Sequence, residues 1–114
     1  MKIAIPYWQG RVSPVFDVAK QIMLFDVENG HVLQLNRTVI VEKNLLARAN
    51  YIFQLGTEVL ICGAISWPLK IALSSTGVQV IADIHGKVED IIKALLNNQL
   101  IEKSSHPTST LSDP

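Results

Sequence analysis

Glu58 to Leu73, EVLICGAISWPLKIAL, is the stretch whose reading decides the fold. Glu58 to Cys62 is a short, nearly continuous apolar run, which suits a strand buried on both faces, as in a parallel sheet. Gly63 permits a tight exit that a residue with a Cβ would resist. Ser66 can cap a helix, and Pro68 falls in the first turn, where a missing N–H costs little. Leu69, Ala72 and Leu73 recur at helical spacing, and Gly77 stops the segment. The stretch therefore predicts strand, tight turn, helix, with Cys62, the only cysteine, beside the helix start.

Working outward, Asn44 to Gly56 has helical period. Leu45, Ala49, Ile52 and Phe53 share a face with Leu46 beside them, and Gly56 stops the run. On the other side, Val78 to Ala82 reads as a strand and Asp83 to Gly86 as a loop. Val88, Ile91, Ile92, Leu95 and Leu96 then repeat at helical spacing, with Glu89 and Asp90 near the positive end of the dipole. At the start of the chain, Lys2 to Pro6 is a strand that proline closes, because proline cannot continue a central ladder. Tyr7 to Pro14, YWQGRVSP, reads as a loop, and Val15 to Ala19 as at most one helical turn. Gln21 to Glu28 is strand-like, Asn29-Gly30 is a strong hairpin signal, and His31 to Val41 is the return strand. Residues 1–100 form one domain on this reading. Residues 101–114, polar and with little to bury, are a flexible tail.

The expected order is β-β-β-α-β-α-β-α, a three-layer α/β domain on a five-stranded mixed sheet. The economical strand order is 3-2-1-4-5, with the second strand antiparallel to the rest. The first strand then connects to one side and the fourth to the other. The crevice between their carboxyl ends is a topological switch point, where open α/β sheets bind ligands. Three loops are expected there: Tyr7 to Pro14, Cys62 to Ser66, and Asp83 to Gly86.

Composition limits what the crevice can serve. In 114 residues, ten basic side chains balance ten acidic ones, so no charge excess points to nucleic acid or an anionic membrane. The hydrophobic share of 48% supports a real core, yet no apolar run reaches the roughly 18 residues of a membrane span. One cysteine excludes an internal disulfide framework and suits a reducing cytosol. The start, MKIAIPYWQG, is too short in apolar residues for a secretory signal. A cytoplasmic domain is expected.

MKIAIP, GRVSPVFDVA followed by MLFDVENG, VLICGAISWPLKIAL, GVQVIADIHGKVEDIIKAL and a closing NNQL together resemble the dinitrogenase iron–molybdenum cofactor family, over about residues 1 to 100. The family comprises cofactor carrier and assembly proteins of nitrogenase and small stand-alone relatives. The resemblance implies a ribonuclease-H-like mixed sheet. It also implies binding or carriage of an iron–sulfur- or iron–molybdenum-type cluster, or its precursor, rather than catalysis. Assembly or acceptor proteins are the implied partners, and a homodimer is compatible with a single thiol. Nitrogenase-associated members often carry a histidine in the first loop, which reads Gly10-Arg11-Val12-Ser13-Pro14 here. An interaction module of the same fold that binds no cluster is therefore the second reading.

Each candidate residue has a functional and a structural reading. Cys62 offers a thiolate, the usual ligand of iron–sulfur species, and a helix start lowers thiol pKa; its other reading is a small core residue. Gly63, Ala64, Ile65 and Ser66 offer backbone N–H groups to an anion at a helix start, while Ser66 also serves as a cap. Arg11 and Ser13 lie in the first loop, where an arginine facing the crevice can pair with an anion or simply be solvated. His85, in the third loop, is the better-placed histidine for a metal, or else an exposed loop residue. Trp8 and Trp67 flank two of the turns and either pack or form a partner-binding face. Asp17, Asp26 and Asp83 do not make a two-metal nuclease, because the first strand lacks the acid such a site needs.

Overall fold

A computed structural model describes residues 1–97. The tail expected over 101–114, and the Asn98–Leu100 part of the closing NNQL, lie outside the described residues.

The long strands are β1 (Lys2–Trp8), β3 (Gln21–Glu28) and β4 (His31–Val39), with a two-residue β2 (Arg11–Val12) between the first two. Helix α1 (Leu45–Gln54), β5 (Val59–Ile61), α2 (Trp67–Ser75), β6 (Gln79–Ile81) and α3 (Val88–Leu96) follow. The sheet runs β4-β3-β1-β5-β6, with β2 attached to β1 alone. β3 is antiparallel to β1 and β4, whereas β1, β5 and β6 are parallel. Apart from β2, this is the order expected from sequence.

Alternation along the strands sends side chains into two cores. Ala4, Ile22, Leu24 and Leu60 pack on one face with Ala49 and Ile52 of α1 and Leu69 and Leu73 of α2. Ile3, Ile5, Met23 and Ile61 pack on the other with Val88, Ile91 and Leu95 of α3. The three layers are α1 and α2, the sheet, and α3. Among the described residues no helix is long and apolar enough to cross a membrane.

Three local expectations change. β1 does not stop at Pro6 but runs on to Trp8. Pairing with β5 involves only Ile3 and Ala4, so the absent N–H of Pro6 removes no bond from that ladder. The YWQGRVSP segment is not all loop: Gln9 and Gly10, with φ of 51° and 80°, turn the chain so that Arg11 and Val12 pair back on Trp8 and Tyr7. On α1 the buried face is Arg48, Ala49 and Ile52, while Leu46 and Phe53 face solvent.

Candidate functional site

The carboxyl ends of β1, β5 and β6 lie side by side, and each loop that leaves them is bonded to the other two. The first loop meets the second where Ala64 N–H donates to Pro14 O and Phe16 N–H donates to Ala64 O. The second meets the third where Asp83 N–H donates to Gly63 O and Ile84 N–H donates to Cys62 O. The third returns to the first where Val12 N–H donates to Gly86 O and Val88 N–H donates to Gly10 O. Arg11 and Lys87 face each other across that last contact. The loops therefore form one connected rim.

Gly63 is where the first two loops come closest. A Cβ on it would lie 2.6 Å from Pro14 O and 2.8 Å from Ser13 O, inside contact distance. Ser13 N–H donates to Pro6 O, so the segment after β2 folds over the gap between β1 and β5. The switch-point opening is thus lined, and partly filled, by the chain's own backbone.

The sequence offers the Gly63–Ser66 amides as a cradle for an anion. Two of the four are committed within the protein, Ala64 N–H to Pro14 O and Ser66 N–H to Asp17 Oδ1 at 2.8 Å. Asp17 brings an internal carboxylate to the positive end of α2, where an external anion was expected. At most the Gly63 and Ile65 amides are left for a ligand. Ser66 does cap α2, its Oγ accepting from Leu69 N–H at 3.4 Å.

Cys62 takes the core reading. Its side chain is wholly buried, packed with Phe16, Leu60 and Leu69. Burial, with the negative charge of Asp83 adding to it, pushes the thiol up to about 12, the reverse of the lowering expected from a helix start. In this conformation the thiol is protonated and has no exposed surface. Ser13 is buried as well. Arg11, Ala64 and His85 are exposed on the rim, and Ile65 is half-buried. Trp8 and Trp67 do not pack: they are 53% and 69% exposed at this same end.

Among the described residues, no three His, Cys, Asp or Glu side chains converge to hold a metal ion. His85 is an accessible imidazole on the rim, in the same loop as the exposed Asp83. Beside β1's end, a groove of about 390 Å³ runs under Trp8, Ser13, Pro14 and Val15 to Lys20.

Sequence reasoning missed Asp17 as the partner of α2, Lys87 as the neighbour of Arg11, and Arg48 as a buried cation. The FDV turn in the sequence offers Asp17 as an acid near a loop, but nothing local pairs it with a residue 49 positions away.

A family model described as "Dinitrogenase iron-molybdenum cofactor" matches residues 1–98. No curated protein resembles the chain closely enough to count as a relative. Among solved structures, the protein PH0822 aligns with a TM-score of 0.81 at 22% identity, over 88% of this chain and 92% of the other. A candidate dinitrogenase of Methanocaldococcus jannaschii aligns with a TM-score of 0.68 at 19% identity, over 88% and 91%. The apo form of the orange protein of Desulfovibrio gigas aligns with a TM-score of 0.67 at 22% identity, over 87% and 89%. At these identities the structures share the fold.

Proposed function

Because the chain belongs to the dinitrogenase iron–molybdenum cofactor family, we propose that it is a non-catalytic binding or carrier protein for an iron–sulfur- or iron–molybdenum-type cluster, or its precursor. The observation that carries this reading is the connected rim, where His85 and Arg11 stand exposed at the joined ends of β1, β5 and β6. The donor set restricts the form of the cargo. One accessible imidazole supplies a single metal bond, so the cargo arrives preassembled, with its own sulfides completing the coordination. Arg11 and Lys87 add positive charge for an anionic periphery, and the Ile65 amide can add one hydrogen bond. Cys62 and Ser13 act from below, holding the rim rather than touching the cargo.

A ribonuclease-H-like description of the sheet belongs to the same reading, supported by the strand order and the antiparallel β3. So do a cytoplasmic location and a protein that loads or receives the cargo. Protein purified without oxygen and analysed for iron, molybdenum and sulfide, then incubated with a preassembled cluster and passed through gel filtration, tests the proposal. A visible chromophore co-eluting with the protein is expected. A colourless protein fraction after that treatment contradicts it.

A second reading draws on the exposed Trp8 and Trp67: an interaction module of the same fold that holds no cluster. Amphipathic aromatics of this kind are favoured at protein interfaces. It requires a stable protein partner whose binding is unchanged by His85→Ala and by metal removal.

A further inference from the structure

Between the end of β4 and the start of α1 opens a groove of about 530 Å³, which shares Val18 and Lys20 with the groove beside β1's end. That volume is within the roughly 300–1,000 Å³ of small-molecule sites. Its walls are Val18, Val39 and Val41, which are 69%, 61% and 71% exposed, with the buried Ile40 between them. These valines give the groove an apolar wall.

The floor is a cation. Arg48 is 4% exposed, yet no carboxylate among the described residues lies within salt-bridge distance of it. Its Nη1 donates to Phe16 O at 3.2 Å and to Ala19 O at 2.8 Å, tying down the turn between β2 and β3. Nε is buried with no partner, and Nη2 makes no hydrogen bond among the described residues. Of its five N–H donors, two are bonded and Nε–H is the one buried without an acceptor, while the Nη2 pair is not buried. Asp17 and Glu42 offset part of its charge, and Glu42 Oε1 is itself buried without a partner, so what an anion entering the groove would relieve is the unmet Nε–H donor rather than a bare charge.

We propose that this groove binds a small amphipathic carboxylate, its apolar body along Val18, Val39 and Val41 and its head group on the free donors of Arg48. The planar fork of the guanidinium matches a carboxylate. Lys20 and Lys43 line the groove and add positive charge, while Asp17, also in the lining, and Glu42, near Arg48, oppose it. That balance favours a monoanion over a doubly charged phosphate. The site stands independently of the cluster reading.

Octanoate is a suitable probe, with 1-octanol as its uncharged counterpart and acetate as its headgroup alone. Titration of the full chain, followed by amide NMR and calorimetry, should show saturable one-to-one octanoate binding. The shifts should concentrate at Val18, Val39, Ile40 and Val41. Octanol and acetate should each bind at least about tenfold more weakly, the loss expected for a charge-assisted contact or for the apolar body. Arg48→Gln can disturb the turn that Arg48 holds, so Val41→Asp, at an exposed position, decides the matter. It should weaken octanoate by about tenfold or more while leaving the folded spectrum intact. Non-saturating shifts, shifts centred elsewhere, equal binding of octanol, or full binding by Val41→Asp would each overturn the proposal.

Discussion

Gly63 and Cys62 are adjacent in sequence and have opposite surroundings. Gly63 has no room for a side chain because two carbonyl oxygens of the first loop lie against it. Gly63→Ala should therefore cost about 1–3 kcal/mol, as overpacking does, and lower the urea midpoint with little change in slope. Cys62 fills its space and is silent. A thiol reagent at neutral pH should leave the native protein unlabelled and react once it is unfolded. The thiol keeps its proton to about 12 in the fold, against 9.0 for an ordinary thiol. Between those values the unfolded chain has released a proton that the folded chain still holds, so this contribution is complete below 9.0 and is lost as pH rises through the window. The stability margin of the wild type over Cys62→Ala should accordingly narrow above pH 9.0 in denaturant titrations. The thiol's chemistry could not be read from sequence, because a strand end and a helix start give a cysteine contrary pKa tendencies. Which one wins depends on what covers it.

Among the elements, α2 owes its position to a residue outside it. Its own cap is Ser66, with a long Oγ contact, and the shorter bond comes from Asp17 in the 3-10 turn Phe16–Val18. Asp17→Ala should cost about 1–2 kcal/mol, since it removes both a hydrogen bond to the helix start and a charge that complements the dipole. Asp17→Asn should cost less; equal stability of Asp17→Ala and wild type by urea denaturation would show the contact to be idle. The element boundaries were legible where punctuation is strong. Asn29-Gly30 turns with both φ positive, and Asn44 caps α1 through Leu46 and Ala47 N–H. β2 was not legible, since Gln9-Gly10 is a weaker turn signal than Asn29-Gly30. Arg48 was not legible either: a cation among apolar positions reads as a solvent face until the carbonyls it serves are known.

At the scale of the whole molecule, two cores on opposite faces of the sheet hold β1 and β5 at the centre and leave β4 at an edge. Native-state hydrogen exchange should find the amides of Ile3, Ile5, Leu60 and Ile61 opening with nearly the global unfolding free energy. Amides of β4 that face away from β3 should exchange far faster. The sheet order was legible because a hairpin-rich first half followed by alternating helices and strands leaves few untangled arrangements. The site was legible only as a place. The three loops do meet where the switch-point argument put them, but the chain fills part of the opening and buries its thiol beneath it. On the proposed carrier reading, cargo binding depends on exposed rim groups and not on Cys62. Anaerobic loading of wild type, Cys62→Ala and His85→Ala with the same preassembled cluster, followed by gel filtration and visible absorption, tests this dependence most directly. The expected result is a chromophore retained by Cys62→Ala and largely lost from His85→Ala. Loss from Cys62→Ala with full retention by His85→Ala would contradict it.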